Sequence, residues 1–139
     1  MAFEPQSDVL LAVINIDPCL ELTPTSVEAG LLVVPDGANF QIELLSVTYR
    51  ANILPVDGSA NVNIDLEFID DSDSDSVTNL VAAYTLDDNR TALIGNQVWR
   101  GSQIMEAGDA LNAEFDTSTP DTKSEGAIFV VEYRILRRS

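Results

Sequence analysis

The chain has no histidine, one cysteine and few basic residues, and each shortage excludes a class of function. Ser-His-Asp triads, Cys-His dyads, histidine metal sites and zinc knuckles all require residue types that this sequence does not supply. Cys19 has no partner for an intrachain disulfide, so we expect a small, inert, partly buried residue. The 23 acidic residues guarantee close carboxylate pairs in any fold, so their abundance does not indicate a glycosidase. We therefore predict that the protein is not an enzyme and has no catalytic, cofactor or metal site.

Positive charge is scarce, and what there is lies late in the sequence. The chain has 7 Lys and Arg against 23 Asp and Glu, which gives a net charge of −16. Arg50 is the single base in residues 1–89, whereas residues 90–139 contain the other six. A surface this negative repels phosphate backbones and anionic lipid headgroups, so neither nucleic acid nor a membrane is a predicted partner.

Targeting signals are also missing from the sequence. The first residues contain no Lys or Arg, and their apolar stretch, residues 9–16, is interrupted by Asn15. This pattern fits neither a signal peptide nor a membrane span. We therefore expect synthesis in a cytoplasm.

Apolar residues recur with a period of two, which is typical of β-strands. In residues 61–68 every even position is apolar and every odd position is polar, as in a strand with one buried face. Residues 40–49 alternate in the same way, and a one-residue phase change after Leu44 indicates a β-bulge. Residues 111–115 and 128–135 are the other well-patterned strands. The predicted core contains Ile64, Leu66, Phe68, Phe115, Val131 and Tyr133.

Shorter apolar runs at residues 9–16, 20–23, 31–34 and 97–100 are predicted to be further strands. Gly-containing turns at residues 35–37, 57–58 and 107–109 separate the runs. Seven or eight short strands of this kind indicate an antiparallel sandwich or barrel. We predict one all-β domain over residues 1–139, an antiparallel β-sandwich of jelly-roll type, because eight strands fill two four-stranded sheets.

One segment breaks the β pattern and predicts a helix. Val77, Leu80, Val81 and Tyr84 follow the i, i+3, i+4, i+7 spacing of a helical face. Acidic and hydroxyl side chains directly upstream suit a helix start. These features predict one short helix over residues 75–84, and a strand over residues 80–86 is the alternative.

The most site-like run is the acidic segment at residues 70–75. Its aspartates, at positions 70, 71, 73 and 75, resemble the alternating carboxylates of calcium loops. The EF-hand template fails, however, because Ser76 stands where glycine is required and Ala82 where the bidentate glutamate is required. We predict a solvated acidic loop that caps the following element rather than a calcium site.

A few aromatic and basic residues are candidates for an interface. Trp99, next to Arg100, is predicted to be either a core or an interface residue, whereas Tyr49 and Tyr133 are predicted to face the core. Three of the seven basic residues, Arg134, Arg137 and Arg138, lie close together near the end of the sequence. In an acidic chain, such a group is suited to contacting the acidic surface of a neighbour.

The order of these elements resembles that of a known class of virion proteins. The segments that carry the resemblance are FQIEL at 40–44, VNIDL at 62–66, AGDAL at 107–111 and IFVVEYR at 128–134. An acidic linker and the predicted helix lie between the second and third segments. From about Glu28 to Leu136, the pattern resembles the jelly-roll capsid decoration (cement) and head-fibre proteins of tailed phages, with Ala-Gly-Asp as the one literal motif.

The resemblance implies a homotrimer, or another small oligomer, that binds the outer surface of a bacteriophage head. There it would bridge major capsid proteins and stabilise the shell as a structural part of the virion. It implies no catalytic residues. The alternative function is a carbohydrate-binding β-sandwich, also carried on a virion, with Trp99 as the platform for a sugar ring.

Overall fold

The computed structural model describes residues 3–5, 8–20, 27–56, 62–87, 90–116 and 121–138. Nearly all of its regular structure is β-strand, as predicted. The strands are β1 (Phe3–Pro5), β2 (Leu10–Asn15), β3 (Val27–Val33), β4 (Phe40–Arg50), β5 (Asn63–Asp70), β6 (Ser76–Thr85), β7 (Asn96–Met105), β8 (Ala110–Asp116) and β9 (Ile128–Arg138). A four-residue helix, α1 (Asp17–Leu20), and a 3₁₀ turn at Asp71–Asp73 complete the described elements.

The strands form two antiparallel sheets that pack face to face as a β-sandwich. Sheet A has the order β1-β9-β4-β7, and β2 pairs with β9 on the same side as β1. The two strands β1 and β2 therefore share one edge of this five-stranded sheet. Sheet B has the order β3-β8-β5-β6. The pairing is nested, because β5 pairs with β6, β4 with β7, β3 with β8 and β2 with β9. No described helix is long and apolar enough to cross a membrane.

The core lies between the two sheets and is built from alternate residues of each strand. Five of the six predicted core residues are buried, and the sixth, Tyr133, is partly buried and packs against them. Phe129 of sheet A connects the layers: its ring lies edge-on to Tyr49 at 6.1 Å and stacks with Phe115 of sheet B at 6.5 Å. The alternation in the sequence therefore identified the buried face correctly.

The predicted helix over residues 75–84 is wrong, because this segment is strand β6, paired with β5. Two β-bulges explain the misleading spacing. Tyr84 lies opposite Ile64 and Val81 opposite Leu66, so three residues of β6 span two of β5, and a second shift follows at once. Each extra residue moves the apolar phase by one position and turns a period of two into an apparent helical spacing. Ala83, whose φ is 53°, lies between these paired positions.

Other local predictions have mixed outcomes. The bulge predicted after Leu44 is present, since the pairing of β4 with both neighbouring strands shifts between Leu44 and Ser46. Residue 20, predicted to begin a strand, instead ends helix α1, and residues 21–26 lie outside the described residues. Gly37 has the positive φ expected of the turn at residues 35–37, whereas the turn predicted at 57–58 lies outside the described part.

Asp17, the first residue of α1, connects this helix by hydrogen bonds to the segment that precedes β9. Its Oδ1 accepts hydrogen bonds from the hydroxyl of Ser124 at 2.7 Å and from the backbone N–H of Ala127 at 2.9 Å. Its Oδ2 accepts a third, from the N–H of Gly126 at 2.9 Å. One carboxylate therefore joins two segments that are distant in the sequence.

The Ala-Gly-Asp motif at residues 107–109 forms the turn between β7 and β8. Asp109 is 3% exposed, and its carboxylate accepts hydrogen bonds from the N–H groups of Asp71 at 3.0 Å and Glu106 at 2.8 Å. Gly108 has a φ of 89°, and a Cβ at this position would lie 2.6 Å from a carboxylate oxygen of Asp71. Gly108 and Asp109 therefore have a structural role, because they hold the β7–β8 turn against the β5–β6 connection.

Candidate functional site

Trp99 lies in β7, the edge strand of sheet A, opposite Val47 of β4. Its side chain is partly buried and packs against the core. The six-membered ring lies so close to Gly101 that a Cβ there would be 2.8 Å from Cζ2 of Trp99. Part of the indole is therefore covered by its own strand. A partly covered ring is less suited to stacking against a sugar than a fully exposed ring.

The contact with Gly101 gives a direct test of the Trp99 environment. We expect Gly101→Ala to displace the indole and to lower the free energy of unfolding by about 1–3 kcal/mol, as overpacking generally does. Trp99 is the only tryptophan, so a shift in the fluorescence emission would report the displacement. The matched control is Gly30→Ala in β3, where a Cβ would meet no atom within 4 Å. Unchanged fluorescence and stability in Gly101→Ala would contradict this packing.

The three predicted interface arginines do not form one surface. Arg134 points to the outer face of sheet A, where its Nε lies 3.4 Å from Oε1 of Glu43 in the same chain. Arg137, three positions later, lies on the opposite face of β9, and its guanidinium carbon is 5.7 Å from the centre of the Phe40 ring. The backbone of Arg138 pairs with Phe3, and its side chain lies outside the described residues. An interface role for these arginines stays a prediction.

An exposed apolar strip lies along the other edge of sheet A. Strand β2 pairs with β9 on one side, and in the described residues no strand pairs with its other side. Leu11 and Val13 are each 65% exposed on its outer face, and Val9, just before it, is 43% exposed. We call these three residues the β2 strip. Exposed edges of monomeric proteins are usually protected by charge, proline or bulges, and β2 (LLAVIN) has no charged or proline residue.

Residues 71–75 of the acidic segment form an exposed turn between β5 and β6, as predicted, whereas Asp70 is the half-buried last residue of β5. Asp70 caps its 3₁₀ turn: Oδ1 accepts hydrogen bonds from the N–H of Ser72 at 3.0 Å and from its hydroxyl at 2.7 Å. The element that it caps is this short turn rather than the predicted helix. The absence of a calcium site here stays a prediction.

A second group of carboxylates, which the sequence did not reveal, lies on the outer face of sheet B. One carboxylate oxygen from each of Glu28, Glu67 and Glu114 lies within 4.8 Å of the other two. We call this the glutamate cluster. Glu28 of β3 lies opposite Glu114 of β8, and Asp65 of β5 lies opposite Glu114 on its other side. Asn112 extends the group, because its Nδ2 donates a hydrogen bond to Oε2 of Glu28 at 3.1 Å.

Glu67 is the unusual member of the glutamate cluster, because it is only 6% exposed. Burial raises the pKa of Glu67 to about 7, and the charge of Glu28 and a hydrogen bond with it act in the same direction. The charges of Glu114 and Asp65 add to the shift. As a carboxylate, Glu67 can only accept hydrogen bonds, and its Oε1 accepts none from the described residues.

Sequence reasoning missed the glutamate cluster for a physical reason. Alternation places Glu28, Glu67 and Glu114 on polar strand faces, but each is far from the others in the sequence. Only the order and register of β3, β8 and β5 bring them together. The signal in the sequence was an acidic residue at an outward position in each of three strands. Charge counting alone cannot distinguish such residues from surface charges that keep a protein soluble.

A shallow cleft of about 540 Å³ adjoins the glutamate cluster between β3 and β8. Its walls are formed by residues 30–33 of the edge strand together with Ala110 and Asn112. Five of these six residues are apolar or glycine and none is aromatic, so the cleft has no ring on which a sugar could stack.

No family model, curated protein or solved structure matches this chain.

Proposed function

We propose that the protein is a virion structural protein of the capsid decoration (cement) type. In this proposal it forms a homo-oligomer, with a trimer favoured, that binds the outer surface of a phage head and contacts the major capsid protein. The observation that carries the proposal is the β2 strip, because a continuous exposed apolar edge indicates a surface that is covered in an assembly. The occupant that we assign to this strip is a second copy of the chain.

The nested strand pairing also supports the proposal. Without β1, the sheets have the orders β2-β9-β4-β7 and β3-β8-β5-β6, so one long antiparallel ribbon is folded over into two layers. We interpret this arrangement as a jelly roll, an architecture that is found in viral capsid proteins and also in lectins. Fold alone does not assign a function, so the β2 strip and not the topology separates assembly from sugar binding.

The charges of the chain favour apolar contact as the source of affinity. The net charge of −16 makes two copies repel each other at long range. Exposed ion pairs contribute only about 0–1 kcal/mol each, and Arg134 is already paired with Glu43 in its own subunit. The β2 strip therefore supplies the contact area, while exposed cations such as Arg137 affect register and the rate of docking.

The oligomeric state tests this proposal. Light scattering on the purified chain at micromolar concentration should give the mass of an oligomer. Replacement of both exposed residues, Leu11→Ser with Val13→Ser, should shift the mass towards that of the monomer. The circular dichroism spectrum should not change, because exposed substitutions rarely alter stability by more than about 0.5 kcal/mol. Val33→Ser is the matched control, since Val33 is 60% exposed on an edge strand of the other sheet.

Binding to heads tests the second part of the proposal. The wild-type chain should sediment with purified heads of the phage that encodes it, when those heads lack this protein. The double variant should bind more weakly than Val33→Ser. A wild-type monomer that does not bind to heads would contradict the proposal, and saturable sugar binding by that monomer would instead favour the carbohydrate-binding alternative.

A further inference from the structure

We propose that the glutamate cluster is a binding site for a divalent cation, and that the cation is Ca²⁺. This inference does not depend on the proposed assembly role, since it concerns the outer face of sheet B rather than the β2 strip. It departs from the sequence-based prediction that the chain has no metal site.

The strand order of sheet B holds the three glutamates together. Glu28, Glu114 and Glu67 lie on three neighbouring strands, β3, β8 and β5, whose backbones are hydrogen-bonded to each other. The sheet therefore fixes where these side chains begin, and one carboxylate oxygen from each lies within 4.8 Å of the other two. Carboxylates repel each other at this range, and either a proton or a bound cation relieves that repulsion.

Glu67 is buried, and one of its carboxylate oxygens has no hydrogen-bond partner among the described residues. That oxygen is Oε1, and Glu67 lies beside two further carboxylates. A buried carboxylate is costly unless it is paired with a positive charge or coordinates a metal. The cluster forms no ion pair with a Lys or Arg in the part of the chain that the structure describes. A bound cation would supply the missing partner.

The chemistry of the ligands favours Ca²⁺ over other cations. The cluster offers only oxygen atoms, which suit hard cations, and the chain has no histidine that would favour zinc or copper. Ca²⁺ accepts six to eight oxygens in a flexible arrangement, whereas Mg²⁺ requires a near-ideal octahedron, loses its water reluctantly and is usually bound through only one or two carboxylates. Three carboxylates therefore suit Ca²⁺ better than Mg²⁺. Glu28 is exposed, so water can complete the six to eight oxygens that Ca²⁺ takes.

Calorimetry on the metal-free protein tests the proposal. The full chain is treated with EDTA, exchanged into metal-free buffer at about pH 8 and about 0.15 M ionic strength, and titrated with CaCl₂. We expect one saturable site per chain with a Kd on the order of 10⁻⁴ M, which is typical of sites with few protein ligands. The Tm should rise as Ca²⁺ is added, because the ion binds only the folded chain.

Two variants and a control assign the binding to the cluster. Glu67→Gln keeps the shape of the side chain and should weaken Ca²⁺ binding by at least about tenfold, with the Tm in EDTA unchanged or raised, because repulsion is relieved. Glu114→Gln should also weaken binding, and it serves if Glu67→Gln does not fold. Asp73→Asn makes the same charge change in the acidic turn at residues 70–75 and should bind as the wild type does.

Three outcomes would overturn the proposal. The first is no saturable heat up to millimolar Ca²⁺. The second is loss of binding in Asp73→Asn but not in Glu67→Gln, which would move the site to the acidic turn. The third is an equal response to MgCl₂ at matched ionic strength, which would show diffuse counterion binding. In the first and third cases, a proton held between Glu67 and Glu28 would remain as the explanation for the buried carboxyl.

Discussion

Phe129→Ala should lower the free energy of unfolding by about 3–5 kcal/mol, the usual cost of removing a large aromatic side chain from a core. Phe129 is fully buried and contacts rings from both layers: Tyr49 within sheet A and Phe115 of sheet B. Its removal leaves a cavity between the sheets that neither backbone can close, because each is held by its own ladder of hydrogen bonds. Urea denaturation monitored by circular dichroism measures the effect.

The control for this substitution is the next residue in β9. Val130 points to the outer face of sheet A, opposite Val13 and Thr48, and is only partly buried. Val130→Ala should therefore cost less than about 1 kcal/mol. Equal losses in the two variants would contradict the assignment of the faces of β9, and with it the packing of the two sheets.

Asp17→Ala should lower the free energy of unfolding by about 2–3 kcal/mol, although Asp17 is not a core residue. The substitution removes three hydrogen bonds to one carboxylate, and it leaves the N–H groups of Gly126 and Ala127 without that acceptor. Hydrogen bonds to charged acceptors are stronger than neutral ones, and the N–H of Ala127, a fully buried residue, carries a desolvation cost when it loses its acceptor, whereas the exposed Gly126 can bond to water. Chemical denaturation at neutral pH gives the value.

Two further variants define the source of this loss. Asp17→Asn keeps one acceptor oxygen and should lose less stability than Asp17→Ala. Asp36→Ala removes an exposed carboxylate from the turn between β3 and β4, and its effect should stay within about 0.5 kcal/mol. If Asp36→Ala costs as much as Asp17→Ala, general charge effects rather than these hydrogen bonds are responsible.

The architecture was largely predictable from the sequence, because most strands have one buried face and therefore alternate. The bulge after Leu44 was predictable for the same reason, since it shifts the phase of a long pattern once. Strand β6 was not, because two bulges in quick succession left too few residues in either phase to show a period of two. The helical spacing of Val77 and Tyr84 is a consequence of those bulges.

The candidate sites were less predictable, because they depend on which strands are neighbours. Arg134 and Arg137 are close in the sequence, but an odd spacing in a strand places them on opposite faces. Glu28 and Glu114 are distant in the sequence, and the register of β3 with β8 sets them side by side. Closeness in the sequence therefore suggested an arginine group that the fold does not form. Distance in the sequence concealed the glutamate cluster that the fold does form.

The nested pairing of the strands has a consequence for chain entropy. The innermost pair, β5 with β6, closes a short loop between Asp70 and Ser76, whereas the outermost pair, β1 with β9, joins Phe3 to Arg138, 135 residues away. Closing the larger loop costs roughly 3 kcal/mol more if nothing else has formed, and much less once the inner pairs have shortened it. The three hydrogen bonds of Asp17 lie next to the inner end of the β2–β9 pair, where Asn15 lies opposite Ile128, and there they offset part of this closure cost.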